Sequence, residues 1–176
     1  MDLYNKTPKP ENKKGKAVAL ILLLAGALFF IIASNDKVAF ASVIQVAAIV
    51  SFTASIYIAA AYLLREYTFC IQKNGNSGDT PAENYDFLVY DNKGKRQVKA
   101  CHFEMKDITE VRVIDKSNRK EAEKERKGMR RYLYDCDYSP ERFIELRASL
   151  EDEDYSIYVT YDEELLRVLQ SLIKQS

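Results

Sequence analysis

The chain has 176 residues, enough for about one domain of ordinary size and an appendage. Its 26 basic and 26 acidic side chains give a formal net charge of zero at pH 7. This balance argues against a dedicated nucleic-acid binder, because such a domain is clearly basic. Nearly all the charge lies before Ala17 or after Leu64, and a long uncharged block between polar segments is typical of a membrane-anchored protein.

After a basic N-terminal segment, residues 1–16, two apolar runs form this block. The first run covers residues 17–33. At a rise of about 1.5 Å per residue, a helix of this length is close to the lower limit for crossing a hydrocarbon core. The second, residues 38–64, is longer and can cross with tilt. The polar residues 34–37 between them, SNDK, suit a tight turn at the water interface. The sequence therefore predicts a transmembrane hairpin, integral to the lipid bilayer.

Two alternatives compete with the hairpin. A cleaved signal peptide would use the lysines before Ala17 and an A-x-A site ending at Ala41, but the apolar run is long for that role and Asp36 and Lys37 interrupt the approach to the cut. A buried pair of soluble helices would show a polar face at a period of 3.6, and these runs show almost none. The hairpin is the favoured interpretation.

The flanking charges predict the orientation. Arg65 follows the second helix, whereas the turn has only Lys37, opposed by Asp36. Further lysines precede the first helix: Lys6, Lys9, Lys13, Lys14 and Lys16. The positive-inside rule then puts both termini in the cytoplasm, on the inner side of the cytoplasmic membrane. Cysteine usage agrees with this compartment, because three cysteines without metal-ligand spacing suit reduced thiols better than a disulfide framework.

Small residues recur every four positions along one face of the second helix: Ala47, Ser51, Ser55 and Ala59. Small side chains at this spacing let helix backbones approach closely. We expect this face to pack on the first helix near Ala25 and Gly26, and a homodimer through the same face is the alternative.

From Glu66 onward apolar and polar residues alternate, as in half-buried strands. The pattern predicts about seven antiparallel strands, near residues 67–72, 85–90, 97–104, 111–115, 131–138, 143–148 and 155–160. We interpret the tyrosine row of residues 132–138 as sheet wall rather than as a binding face. Asp162 can cap a final helix whose apolar stripe would cover the sheet: Leu165, Leu166, Leu169, Leu172 and Ile173.

This order of elements resembles the pleckstrin-homology-like (PH-like) fold. The segments DFLVYDNKGKRQVKACHFEMKDITEV and RYLYDCDY followed by SPERFIEL are similar to bacterial membrane-anchored members, over residues 67–176. The resemblance implies an α+β protein in which residues 66–176 form a cytosolic, curled antiparallel sheet with a C-terminal helical cap. Eukaryotic members bind phosphoinositides through basic residues after the first strand. Here only Lys73 is present, opposed by Asp79 and Glu83, so inositol-phosphate binding is not carried over.

No catalytic, cofactor-binding or metal-binding residue is predicted. His102 is the only histidine, and its strand neighbours Cys101 and Phe103 point to the other face. The glycines lack the spacing that places backbone amides around phosphate. The sequence therefore does not predict an enzyme, and it predicts no cofactor.

One basic segment could face anionic lipid, at about 1 kcal/mol for each basic residue near the surface. Its cations are Lys116, Arg119, Lys120, Lys124, Arg126, Lys127, Arg130 and Arg131. The competing interpretation is a solvated, partly helical loop in which Glu123 and Lys127 pair.

The leading functional hypothesis is an interaction or scaffolding module with an unknown protein partner. The alternative is a ligand-sensing or regulatory domain with a pocket between its sheets, which signals to a partner protein. Composition and spacing do not distinguish these two.

Topology can be tested with reporters. A reporter that works only in the cytoplasm should be active when fused after Ser176 and inactive when inserted at Asn35, because the lysines before the first helix hold both termini inside. Alkaline phosphatase, which is active only outside, should give the opposite pattern. Cytoplasmic activity at Asn35 would contradict the predicted orientation.

Overall fold

The computed structural model describes residues 2–9, 14–35, 40–75, 80–94 and 96–174. Two compact units are present: residues 1–10, 66–136 and 140–176 form the sheet unit, and residues 11–65 with 137–139 form the hairpin unit. Predicted features at Lys13, at Asp36 and Lys37 in the turn, and at Asp79 lie outside the described residues.

The hairpin unit contains two antiparallel helices. Helix α1 spans Lys14–Ala33, and helix α2 spans Ala41–Ile58 and continues as a π-helical turn over Ala59–Leu63. Both are long and apolar enough to cross a membrane, and only 17% of the most apolar window of each is buried. A core helix of a soluble protein would be mostly buried, so the exposed apolar surface indicates membrane association.

The two helices pack through small residues. The Ser55 hydroxyl donates to the Ala19 carbonyl at 2.8 Å, and the Phe52 ring lies against Gly26, where an added Cβ would come within 3.1 Å. The residue against Gly26 is thus Phe52, which is not one of the four small residues of the predicted face, and Ser55 of that face contacts Ala19. Ser51 instead donates to Ala47 within its own helix, at 2.9 Å, and Ala59 begins the π-helical turn.

The first sheet contains four strands in the order β1-β2-β3-β4. Their bounds are Asp2–Lys6, Glu66–Lys73, Tyr85–Lys93 and Arg96–Glu104. All pairs are antiparallel, and the predicted turn between β3 and β4 has Gly94 at φ +61°, a conformation that glycine adopts without strain. Strand β1 was not predicted from the sequence.

The second sheet contains four strands in the order β5-β7-β8-β6. Their bounds in this order are Ile108–Asp115, Arg142–Leu150, Glu153–Thr160 and Arg130–Tyr134. Strand β6 runs parallel to β8, so this sheet is mixed rather than wholly antiparallel. The predicted strand over residues 131–138 ends at Tyr134, and Tyr138 instead stacks edge-on against Tyr62 in the hairpin unit, at 5.3 Å between centroids.

One core lies between the two sheets and helix α4, which spans Glu163–Ile173. The Asp162 carboxylate caps α4 by accepting from the Leu165 amide at 2.9 Å, and Leu165, Leu169 and Leu172 are buried in the core. The α+β class is thus confirmed. Within the described residues the two sheets have eight strands in total and do not close into a barrel.

Strand β1 contacts β2, the core and helix α4 within the sheet unit. It pairs with β2, and the Thr7 hydroxyl lies 2.6 Å from that of Thr68. Tyr4 is buried in the core, and burial together with the Asp162 carboxylate raises the pKa of its hydroxyl. Lys6 forms an ion pair with Glu164 in the first turn of α4. Residues that precede the hairpin therefore belong to the same core as residues that follow it.

The buried stripe of α4 predicts a large stability effect. Leu169→Ala should cost on the order of 2–5 kcal/mol, because Leu169 is fully buried and the truncation leaves a cavity. Thermal unfolding of the full chain in detergent measures this change. Arg167→Ala, on the exposed side of the same helix, is the control and should shift stability by no more than about 0.5 kcal/mol. Equal melting temperatures for the two variants would exclude a structural role for the stripe.

Candidate interaction groove

The sheet unit has an open side where strands β4 and β6 form the edges of their sheets. Residues 96–100 of β4 are all exposed. The register with β3 shifts here, since Val89 pairs with Cys101 and Tyr90 with Lys99, which leaves Ala100 as an extra residue. The Ala100 carbonyl accepts a hydrogen bond from the Tyr134 hydroxyl at 3.1 Å. One side-chain hydrogen bond thus links the two edges.

Aromatic side chains line a cavity of about 240 Å³ at this opening. The Tyr132 ring stacks on those of Tyr134 and Tyr155, at 6.3 and 6.1 Å between centroids, and Phe103 meets Tyr155 edge-on at 5.5 Å. The complete lining is Ala100, Cys101, His102, Phe103, Tyr132, Tyr134, Leu150 and Tyr155. Tyr132 and Tyr134, which were predicted to form sheet wall, also line this cavity.

The deeper polar groups of the cavity are neutral at pH 7. Burial raises the pKa of the Cys101 thiol to about 11 and also raises the pKa of the Tyr134 hydroxyl. Near the rim, the Tyr155 hydroxyl donates to Glu153 at 2.8 Å, and this hydrogen bond raises the pKa of Tyr155. Glu153 also pairs with Arg130 at 2.7 Å. These deeper groups are therefore uncharged, the lining as a whole is about equally polar and apolar, and the ion pair of Glu153 with Arg130 lies at the rim.

Exposed apolar side chains of the sheet unit gather at this opening. Among the described residues of that unit, the large exposed apolar side chains are Leu3, Val98, Tyr132, Leu133 and Leu150. Val98, Tyr132 and Leu150 lie on β4 or in the cavity lining, whereas Leu133 alternates with Tyr132 and Tyr134 and therefore lies on the opposite face of the edge strand β6. Val98 is 53% exposed. We name the cavity together with the flanking Val98 side chain the β4–β6 groove.

The edges of the β4–β6 groove are basic. Arg96 and Lys99 on β4 and Arg131 on β6 are exposed and make no ion pair with any described residue. Acidic residues occur beyond Leu150, in the turn between β7 and β8 and at the start of β8: Glu151, Asp152, Glu153 and Asp154. Charge therefore differs between the two ends of the opening.

Part of the basic segment that follows β5 packs against the second sheet. Helix α3, Arg119–Glu125, places Ala122 in a second small core with Ile114, Phe143 and Tyr158. The Arg119 guanidinium lies 5.5 Å from the centre of the Phe143 ring and donates to the Pro140 carbonyl. These contacts fix α3 against the second sheet.

Arg126 is buried rather than presented to solvent. Its guanidinium lies 4.4 Å from the centre of the Tyr158 ring and 2.9 Å from the Glu145 carboxylate, which is fully buried. Burial lowers the pKa of Arg126. The Glu145 carboxylate also accepts from Ser156 at 2.6 Å and from Arg112 at 2.5 Å. Arg126 thus compensates a buried charge.

The other cations of the segment remain at the surface: Lys116, Lys120, Lys124, Lys127, Arg130 and Arg131 are exposed, and Arg119 is partly buried. Lys116 lies 3.6 Å from Glu141, and Arg130 pairs with Glu153. Glu125 binds Arg112 and Arg147, and those hydrogen bonds lower its pKa. The segment is a partly helical, ion-paired surface whose contact with lipid stays a prediction.

His102 has a local partner. Its Nε2 atom lies 2.9 Å from Asp86 Oδ2, and the other oxygen of Asp86 accepts from Asn74. The neighbouring Cys101 is buried and its pKa is raised, so the thiol is a poor nucleophile at neutral pH. Among the described residues no group of three or more His, Cys, Asp or Glu side chains could hold a metal ion.

Comparisons with protein-family models, with curated proteins and with solved structures found no match. Function is therefore inferred from the chemistry of the chain itself. Val98 and Leu150 were not predicted to belong to one surface, because each is a single apolar residue beside charged residues in the sequence. The available signal was Val98 on a predicted strand between Arg96 and Lys99, but its exposure depends on β4 being an edge.

The two sides of the basic segment should respond differently to mutation. Arg126→Ala should destabilise the full chain by about 3 kcal/mol, because it removes one partner of a buried carboxylate while Arg112 and Ser156 remain. Lys127→Ala, at the next and exposed position, is the matched control and should be nearly neutral. Chemical denaturation measures both changes. A neutral Arg126→Ala would contradict the proposed compensation of Glu145.

Proposed function

We propose that this protein is a membrane-anchored interaction module, with a PH-like sheet unit in the cytosol of a bacterium. The supporting observation is the β4–β6 groove, where three of the five exposed large apolar side chains in the described part of the sheet unit gather: Val98, Tyr132 and Leu150. Apolar side chains concentrated at one site, with a charged rim, are typical of protein-binding surfaces. The hairpin supplies the anchor.

The pairing of β1 with β2 supports this topology. These strands precede and follow the hairpin in the chain, yet they share one sheet. If α1 crosses the bilayer, α2 must cross back for this sheet to form. Both termini then lie on one side, and the lysines before α1 favour the cytoplasmic side.

A ligand-sensing domain is the second candidate, favoured by the aromatic lining of the cavity. The volume of about 240 Å³ is smaller than the roughly 300–1,000 Å³ of typical small-molecule sites. The exposed side chain of Val98 lies beyond the cavity lining, and a small molecule inside the cavity would leave it exposed. The extent of the apolar surface therefore favours a macromolecular partner.

Photo-crosslinking in intact cells tests the interaction hypothesis. A photoreactive phenylalanine at Val98 or Leu150 should give a discrete protein adduct, because Val98 is exposed on the edge strand β4 and Leu150 is exposed in the cavity lining. The same probe at Arg167, on the exposed side of α4, is the control and should not give that adduct. Adducts with lipid only, or a small molecule that co-purifies with the full chain and is lost in Tyr132→Ala, would contradict the proposal.

A further inference from the structure

We propose that the partner binds the β4–β6 groove as an extended, acidic polypeptide strand that adds to the free edge of β4. This inference rests on the proposed function and specifies its binding mode. The occupant would alternate apolar and acidic side chains. The proposal rests on three features of β4: its short exposed edge, its apolar side chains toward the core, and cations that make no ion pair among the described residues.

The backbone of β4 is available for pairing. Its only strand neighbour is β3 within the part of the chain that the structure describes, and residues 96–100 extend for about 17 Å with every side chain exposed. The Tyr134 hydroxyl donates to the Ala100 carbonyl, which shows that the backbone of β4 accepts hydrogen bonds from the side of β6. An added strand would supply such donors to the residues before Ala100.

The face of β4 toward the core is apolar along this edge. Val98 pairs with Asp91 and Cys101 pairs with Val89, so the extra residue Ala100 keeps Val98 on the same face as Cys101 and Phe103. Alternate side chains of an added strand would therefore extend an apolar stripe that now ends in solvent at Val98. Those positions of the occupant require apolar residues.

Charge decides which strand fits. Lys99 pairs with Tyr90 and lies on the other face of β4, whereas Arg96 pairs with Lys93 and lies on the face of Val98, just beyond the end of the apolar stripe. Neither cation makes an ion pair among the described residues, and together they make the edge basic. A second copy of the chain would bring identical cations to this edge, which opposes self-pairing. Acidic residues at the alternate positions of a partner strand would remove that repulsion. The acidic turn after Leu150 confines this complementarity to the half of β4 before Ala100.

The test uses the full chain in nanodiscs and a synthetic peptide of about ten residues that alternates valine and glutamate. Hydrogen exchange should slow at the β4 amides before Ala100, and a peptide of valine and lysine should protect them much less. The double variant Arg96→Glu, Lys99→Glu should weaken binding of the glutamate peptide by roughly tenfold or more and improve binding of the lysine peptide. Lys120→Glu, Lys124→Glu changes two exposed cations of α3 and is the matched control.

Several outcomes would overturn this inference. They are equal protection by both peptides, protection only outside β4, or a loss of affinity in the α3 control as large as in the β4 variant. Protection of β4 that follows the phosphatidylglycerol content of the nanodisc, with no peptide effect, would assign the edge to lipid. A protein adduct at Val98 without peptide protection of β4 would remove the strand-addition mode and leave the interaction module standing. Protection of β4 without any cellular adduct would support strand addition and count against a resident protein partner.

Discussion

The pairing of β1 with β2 is the constraint on which the organisation of this chain depends. These strands are separated in sequence by residues 7–65, and closing a flexible loop of that length would cost on the order of 4 kcal/mol. The packed hairpin reduces this cost, because α1 and α2 are antiparallel and return the chain toward its entry point. Both ends of the hairpin therefore continue into strands of one sheet, although the hairpin and the sheet form separate compact units. A fragment beginning at Glu66 lacks Tyr4 and leaves the outer edge of β2 unpaired.

The predictability of each element depended on whether its signal was local. The apolar helices are identified by long uncharged apolar runs, and α4 is identified by its 3.6-residue period and its Asp162 cap, so the positions of these elements followed from local sequence. Strand β1 has five residues in a lysine-rich segment, and only its partner β2 makes it a strand. The parallel placement of β6 depends likewise on β8, since alternation within Arg130–Tyr134 is the same for either direction of pairing.

The basic segment shows why a charge pattern does not identify a surface. The sequence does not distinguish the eight cations that run from the end of β5 into β6. The structure nevertheless buries one of them, Arg126, beside the Glu145 carboxylate and the Tyr158 ring. The determinant lies on β7, where Glu145 is fully buried within a run of buried residues, 143–146, and its charge requires compensation. Guanidinium groups suit this role because they stack on aromatic rings while donating to carboxylates. The six exposed cations of the segment remain available for lipid or solvent.

The open edges of the two sheets can associate with other exposed edges, and they can also bind a partner strand. An exposed edge strand invites association with any other edge, and cations such as Arg96 and Lys99 oppose pairing between identical copies. The same cations favour an acidic strand, so one feature both restrains self-association and selects a partner. Tyr134 adds to this restraint, because its hydrogen bond to Ala100 occupies the acceptor where β4 passes β6. The part of β4 before Ala100 has no such cover, and there the apolar face and the basic edge coincide.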